Sequence, residues 1–176
     1  DDGKIAENSA SAKTAYLDVT ATDEAPNGRL FWGEYSATDA KFLFQIKKGE
    51  AEGKWNVYNP ATKLYVGECL GFTKVVPNSK TAAPLEFVAL GEASFKWRSM
   101  AGTQEWTFCP QGNPGGTSAG PSYVWGYNNA TSPHAESTWS LVPVPEEVIA
   151  ELFPNQAALA ETLATAEQLK DNCWYW

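Results

Sequence analysis

Short runs in which apolar and polar residues alternate recur along residues 1–144 of the chain. Three of these runs share an aromatic centre and cover residues 42–46, 85–90 and 138–142. Their central rings, Phe44, Phe87 and Trp139, lie 43 and then 52 residues apart. Alternation with a period of two over such short runs is typical of half-buried β-strands. The return of the same pattern predicts a repeated, strand-rich structure.

Two other kinds of segment recur at matching positions between these runs. An opening ring precedes each unit, at Tyr16, Tyr65 and Trp106. Residues 30–33 of the first unit, Leu-Phe-Trp-Gly, match residues 123–126 of the third, Tyr-Val-Trp-Gly. This shared Trp-Gly pair is the most specific match in the chain, and it strengthens the prediction of three related units.

A fourth kind of segment completes the first two units, at residues 53–58 and 95–99, and is missing from the third. Residues 3–8 precede the first opening ring much as residues 53–58 precede the second, so we expect an N-terminal strand to complete the third unit. Three units of four strands, separated by turn-rich stretches such as Pro26-Asn27-Gly28, predict an all-β antiparallel barrel over residues 1–144. A two-sheet sandwich with similar strand spacing is the alternative.

The composition changes at residue 145, and residues 145–176 are expected to form a helical extension or the start of a following module. A proline followed by two glutamates, at positions 145–147, predicts the start of a helix, because proline suits the first helical position and carboxylates suit the first turn. A second helical run is expected over residues 155–172. The three terminal rings at 174–176 favour a following module, since they would otherwise lie in water.

Composition limits the classes of partner. The chain has 176 residues, of which 43 % are hydrophobic and 13 % aromatic, as expected for a folded domain. Its formal net charge of −8 offers no general attraction to phosphate backbones, so nucleic acid is not an expected partner. No stretch approaches ~20 consecutive apolar residues, so no membrane insertion is expected. The N-terminus carries no basic and then apolar export signal, so any such signal is expected to have been removed.

Three cysteines and one histidine leave few options for metal or nucleophilic chemistry. Cys69, Cys109 and Cys173 lack the close spacing of zinc ligands; they are idle thiols, or the first two form a disulfide. His134 is the only histidine, and the Gly-x-Ser-x-Gly pattern, which occurs at 116–120, lies in a glycine- and proline-rich stretch rather than between a predicted strand and helix. Neither a histidine-rich metal site nor a serine triad is therefore expected, and the sequence predicts no catalytic residues, no cofactor and no bound metal.

The first unit combines several short motifs in a set order. They are Tyr-Leu-Asp-Val at 16–19, Asn-Gly at 27–28, Leu-Phe-Trp at 30–32 and Asp-Ala-Lys-Phe-Leu-Phe at 39–44. This order resembles the ricin-type β-trefoil lectin family, and the resemblance extends over residues 3–144. It implies a β-trefoil of three four-stranded units, closed by the N-terminal strand. With the C-terminal α-helical extension, this is the predicted fold.

The resemblance also implies a shallow sugar pocket in the first unit. In that family an aspartate after the opening strand, an aromatic residue on the second strand and a polar residue before a Gln-x-Trp motif line the pocket. These roles fall here on Asp18, Trp32 and Lys41, with Asn27 and Tyr35 as secondary candidates. A sugar presents hydroxyl groups at its edge and an apolar C–H face, which suit a carboxylate and a ring. The Gln-x-Trp motif itself is absent.

Each of these assignments has a structural alternative. Trp32 could instead be a core ring, Asp18 a turn carboxylate and Lys41 a solvated side chain. A second candidate pocket lies in the third unit and lacks a carboxylate; its residues are Trp125, Tyr127 and Asn128.

The expected function is that of a non-catalytic carbohydrate-binding module of a larger exported protein, in an extracellular, periplasmic or cell-surface location. Its expected partners are a glycan or small sugar and the neighbouring domains of the same polypeptide. The alternative is a structural or protein-binding trefoil without sugar binding, which the missing motifs of the second and third units favour. An enzyme is not expected, because glycoside hydrolysis needs two carboxylates ~5–9.5 Å apart across one cleft and the sequence shows no such pair.

Overall fold

The computed structural model describes residues 13–36, 38–70, 75–91, 94–110, 122–128, 139–154 and 173–175. These residues form strands, one α-helix and one short 3-10 helix. The strands are β1 (Lys13–Asp18), β2 (Arg29–Glu34), β3 (Phe44–Lys48), β4 (Trp55–Asn59), β5 (Leu64–Val66), β6 (Asn78–Ser79), β7 (Glu86–Gly91), β8 (Ser94–Ala101), β9 (Gln104–Pro110), β10 (Ser122–Asn128) and β11 (Cys173–Tyr175). The helix α1 spans Glu146–Leu152, and the 3-10 helix spans Ala40–Phe42.

The strands form two antiparallel sheets. The six-stranded sheet has the order β1-β2-β10-β9-β8-β7, and the five-stranded sheet has the order β11-β3-β4-β5-β6. Most neighbouring strands are also neighbours in sequence, but β10 joins β2 through the pairs Tyr123↔Phe31 and Ser122↔Trp32. The all-β class predicted from the alternating runs is confirmed.

Alternate residues of the six-stranded sheet face the core. Residues of its inner face that are at most 2 % exposed include Leu17, Leu30, Trp32, Phe95, Phe108 and Val124. Because successive side chains of a strand point to opposite faces, the residues between them lie on the outer face. This division into an apolar inner face and a mixed outer face is common in antiparallel sheets.

The five-stranded sheet contributes to the same core. Its buried residues in the main cluster are Phe44, Ile46, Val57 and Val66. A smaller cluster holds α1, whose buried Ile149 packs with Leu43 and Val144. The helix therefore rests on the segment that leads into β3 rather than standing apart from the sheets.

Isolated bridges connect further segments. They are Arg29↔Pro77, Trp55↔Leu85 and Phe95↔Trp139. Close to the first bridge, the N–H of Leu30 donates to the carbonyl of Val76 over 2.8 Å, and the N–H of Val76 donates to the carbonyl of Val124 over 3.0 Å. These contacts tie residues 75–79, which include β6 of the five-stranded sheet, to β2 and β10 of the six-stranded sheet.

The C-terminal part agrees with the sequence in one element and differs in another. The α-helix begins at Glu146, directly after Pro145, as predicted. The predicted helical run at 155–172 and the predicted closing strand at 3–8 lie outside the described residues. Beyond that run, β11 pairs with β3 in antiparallel register. The sequence had assigned these residues to a helical extension or a following module and did not predict this pairing.

A network of charged side chains lies on the outer face near β7, β8 and β9. The Nε of Arg98 donates to Glu86 over 2.7 Å, and the same guanidinium also pairs with Glu105. Lys96 pairs with Glu105 over 3.1 Å, and Lys54 pairs with Glu86. Burial raises the pKa of both carboxyl groups, but the hydrogen bonds from the basic side chains outweigh it, and each pKa lies below its usual value.

Acid is expected to weaken the fold through these two glutamates. A carboxyl group with a lowered pKa in the folded state contributes stability above its unfolded pKa, roughly 4.3 for glutamate, and this stability is lost as the pH falls through the folded pKa. We therefore expect the urea midpoint to drop as the pH falls from about 5 to about 3. Arg98→Met should show a shallower drop, and equal slopes in the two proteins would contradict this role of the network.

Candidate functional site

A row of seven aromatic rings crosses the outer face of the six-stranded sheet and continues past its β1 edge. In spatial order the rings are Tyr35, Phe42, Tyr16, Phe31, Tyr123, Trp125 and Tyr127. Successive centroids lie between 5.1 and 6.2 Å apart, within the range of favourable aromatic pairs. We call this feature the ring row. Strand alternation explains its β10 part, because Tyr123, Trp125 and Tyr127 are separated by single residues and share one face.

The rings differ in exposure along the row. Tyr16 and Phe42 are 8 % and 3 % exposed. Phe31 and the three rings of β10 are half-buried, so part of each ring surface meets solvent. Burial raises the pKa of Tyr127, and the neighbouring Cys109 and Tyr123 raise it further. The accessible part of the ring row is therefore the β2 and β10 half.

Two cations lie over the rings. The guanidinium carbon of Arg29 is 5.5 Å from the Phe31 centroid and 5.1 Å from the Tyr123 centroid. The Nζ of Lys41 is 4.7 Å from the Tyr16 centroid and 5.2 Å from that of Phe42. Cations over ring faces are attracted by the ring quadrupole. Each half of the ring row therefore carries one positive charge.

The predicted residues of the first unit, apart from Trp32, gather at the β1 end of the ring row. The Nζ of Lys41 pairs with Asp39 over 3.2 Å, and Tyr35 contacts the ring of Phe42. Burial raises the pKa of Tyr16, and the negative charges of Asp18 and Asp39 add to it, which places both carboxylates near its phenol. The backbone of Lys41 is fixed because the buried Asn59 donates its Nδ2 to the Lys41 carbonyl over 2.8 Å.

Asp18 and Asn27 are brought together by a residue that the sequence did not single out. Asn78 is 4 % exposed, and its Nδ2 donates to the carbonyls of Asp18, over 2.8 Å, and Asn27, over 3.1 Å. The carboxylate of Asp18 accepts the N–H of Thr20 over 2.7 Å. Asp18 thus serves as a turn carboxylate in this structure, which was the structural alternative for this residue.

Trp32 does not lie at the predicted pocket. Its ring is 1 % exposed and belongs to the main core cluster on the inner face of the sheet. A ring on which a sugar stacks must be open to solvent, so the assignment of Trp32 as the stacking ring is wrong. The cause is the position of Trp32 on β2: its neighbour Phe31 faces outward, and Trp32 therefore faces inward.

The second predicted pocket is partly assembled. Trp125 stacks with Tyr123 at 5.7 Å and 24°, and Trp125 contacts Tyr127 at 5.6 Å and 31°. Asn128 follows Tyr127 on β10, so its side chain falls on the other face of the sheet. The sequence missed Phe31 and Tyr123, although the alternation of aromatic residues at 123, 125 and 127 was a usable signal for the latter.

The cysteines and histidine add no further chemistry to this surface. Cys69 and Cys109 are buried and form no disulfide with each other, so the alternative of a disulfide between them is wrong. Burial raises the pKa of the Cys69 thiol to about 11, which keeps it protonated. His134 and the side chain of Cys173 lie outside the described residues. The parts of the chain that the structure describes hold no group of three or more His, Cys, Asp or Glu able to bind a metal ion.

Comparison of the sequence with protein-family models and with curated proteins finds no match. The resemblance to ricin-type lectins therefore remains a prediction from the motifs of the first unit. In the described residues, no helix has the length and apolar character needed to cross a bilayer.

Half-exposed rings combined with charged and polar groups can bind a ligand that has both apolar and polar surfaces. Rings pack against C–H groups, and the guanidinium, ammonium and carboxylate groups exchange hydrogen bonds with hydroxyl groups. Sugars have both kinds of surface. Peptides do as well, so the chemistry of the ring row suits two classes of partner.

Proposed function

We propose that this chain is a non-catalytic carbohydrate-binding module and that the half-exposed part of the ring row is its binding surface. The observation that carries the proposal is the continuous set of half-buried rings from Phe31 to Tyr127, with Arg29 lying over two of the row's rings. Aromatic surface of this size is normally buried in a soluble domain, so its partial exposure points to a ligand.

We also propose that the fold is a β-trefoil, and recurrent pairings support it. Leu30, Val76 and Val124 are fully buried, and their segments are joined to one another in a closed set of three contacts. Leu30 and Val124 lie in the matching segments 30–33 and 123–126, and Val76 takes the corresponding place in the second unit. A two-sheet sandwich gives no reason for three equivalent segments to meet in this way.

A second set of pairings has the same threefold order. Trp55↔Leu85 joins the fourth segment of the first unit, residues 53–58, to the aromatic-centred run of the second unit, residues 85–90. Phe95↔Trp139 joins the fourth segment of the second unit to the aromatic-centred run of the third unit in the same way. The pairing of β11 with β3 then joins the third unit to the first. In this arrangement β11, rather than a strand at the N-terminus, is the fourth segment of the third unit.

Such a surface is expected to bind weakly, because the ring row is shallow. A dissociation constant between about 1 µM and 1 mM corresponds to roughly −8 to −4 kcal/mol. Useful targeting would then depend on further modules of the same polypeptide. We therefore retain the proposal that the chain acts beside a neighbouring domain of an exported protein, outside the cell, in the periplasm or at the cell surface.

A structural or protein-binding trefoil is the second candidate, and two observations favour it. Trp125 is stacked on Tyr123, so part of each ring face is covered by the other. The second observation concerns Cys109, which is paired with Trp125 across the two strands: it is completely buried, so it offers a sugar no surface beside Trp125. A partner protein requires less open ring surface than a stacked sugar does.

Replacing Trp125 by alanine tests the proposed function. We expect retention on a glycan array to fall by about tenfold, since stacking on an aromatic ring is worth about 0.5–1.5 kcal/mol and the neighbouring rings would lose their support. Tyr65→Ala is the matched control, because Tyr65 is a half-buried ring that contacts Tyr58 on the other sheet. Unchanged binding by Trp125→Ala, or no glycan bound by the unmodified protein, would refute the proposal and favour the second candidate.

A further inference from the structure

Arg29 lies at the β2 end of the accessible part of the ring row. It belongs to β2, and its guanidinium lies over Phe31 of the same strand and Tyr123 of β10. These two residues are also paired across the strands, so Arg29 lies where β2 and β10 meet. A group bound there would contact a charge and rings together.

The charge of Arg29 has no acidic partner in the described part of the protein. No carboxylate there lies within ion-pair distance of its guanidinium, and its buried Nε has no hydrogen-bond partner. Asp18 faces Arg29 across the strands, but its carboxylate accepts the N–H of Thr20 instead.

Two other cations, Lys41 and Arg98, are paired with carboxylates of the chain. Lys41 pairs with Asp39, and Arg98 pairs with both Glu86 and Glu105. The chain as a whole has a net charge of −8. Arg29 therefore differs from Lys41 and Arg98 in having no carboxylate within ion-pair distance in the described part of the chain, and an acidic ligand would supply one. The planar donor edge of a guanidinium matches the two oxygens of a carboxylate.

We propose that the ligand of the ring row is an acidic glycan, and that Arg29 binds the carboxylate of a uronic or sialic acid unit. This inference rests on the proposed function and narrows its ligand class. The rings of Phe31 and Tyr123 flank the guanidinium, so the sugar that carries the carboxylate packs on them. The next sugar units extend over Trp125 and Tyr127. A neutral glycan could accept hydrogen bonds from the guanidinium but would leave its charge without an ionic partner.

The test compares an acid with its ester. The probes are trigalacturonate and its methyl ester, which differ in charge but not in the stereochemistry of the sugar, together with an array of uronate- and sialate-bearing glycans and their neutral counterparts. We expect at least one acid to bind about tenfold or more tightly than its neutral counterpart, the size expected for a charge-assisted pair. Its affinity should fall with added salt, while the affinity of the neutral form should not.

Variants then assign this preference to Arg29. Arg29→Gln should lose about tenfold in affinity for the preferred acid, and its affinity for the neutral form should be unchanged. The affinity of Arg29→Lys for the acid should lie between those of the unmodified protein and Arg29→Gln, because lysine keeps the charge but lacks the two parallel donors of the guanidinium. Lys47→Gln is the matched control: it removes a cation that lies 4.7 Å from the Tyr58 ring on the other sheet. Thermal melts of all variants verify folding before binding is compared.

The outcomes separate this inference from the function on which it rests. Equal binding of acids and neutral forms, with loss of binding in Trp125→Ala, would overturn the inference and leave the carbohydrate function standing. An equal loss for both forms in Arg29→Gln would show that Arg29 only supports the rings, which also overturns the inference. Binding of no glycan at all would remove the function and the inference together.

Discussion

Replacing Trp32 by alanine is expected to lower the free energy of unfolding by about 3–5 kcal/mol, the range for truncating a large buried ring. Trp32 is 1 % exposed and lies on the inner face of β2. It belongs to the main core cluster, together with Leu30 of the same strand and Val124 of β10. Removing its side chain leaves a cavity that the surrounding strands can fill only in part. Urea unfolding followed by circular dichroism measures the loss, and the melting temperature should fall by roughly 10 °C.

Trp125→Ala is the matched comparison for this prediction. Trp125 is half-buried on the outer face, and it contacts Tyr123 and Tyr127 in the ring row. Its loss is expected to cost no more than about 2 kcal/mol. Well below its melting temperature, Trp32→Ala should bind glycan as the unmodified protein does, whereas Trp125→Ala should bind about tenfold more weakly. Equal stability of the two variants would show that Trp32 is not a core residue.

The alternation of the sequence predicted the core well. The central rings of the three recurring runs, Phe44, Phe87 and Trp139, are all buried members of the main cluster. This succeeds because burial of one face is a property of each strand alone and leaves its trace in neighbouring positions. The helix at Glu146 was predictable for the same reason, since its start signals lie within three residues.

The strongest sequence match, by contrast, did not predict equivalent positions. Trp32 faces the core, but Trp125, its counterpart in the Trp-Gly pair, faces outward. The residues that do correspond on the inner face are Leu30 and Val124. A shift of one residue in strand register moves every side chain to the other face, and no local pattern reports that shift. This is why the predicted pocket included a core ring.

The ring row could be predicted only in part. Tyr123, Trp125 and Tyr127 alternate along β10, so their common face was available from the sequence. Their continuation through Phe31 depends on the pairing of β10 with β2, which joins residues 92 positions apart. Such a contact is decided by the packing of the whole domain, and the sequence carries no local sign of it.

Replacing Gly28 by alanine is expected to destabilise the protein by about 3 kcal/mol or more. Gly28 has a φ of +82°, and an added Cβ would collide with the carbonyl oxygen of Asp18 and lie 2.7 Å from the Cα of Val19. The left-handed conformation costs alanine about 1–2 kcal/mol, and forcing an extra methyl against backbone adds about 1–3 kcal/mol. The collision would also push β1 away from the turn that positions Arg29.

Gly53→Ala separates the collision from the conformational cost. Gly53 has a similar φ of +73°, but nothing lies within 4 Å of the place its Cβ would occupy. The strain of the left-handed conformation is then offset in part by the reduced entropy of the unfolded chain, so a net loss of about 1 kcal/mol is expected. Urea midpoints of the two variants measure the difference. A Gly28→Ala protein no less stable than Gly53→Ala would mean that the β1–β2 turn accommodates the added methyl group with no loss of stability. The close approach of Gly28 to Asp18 would then have no structural role.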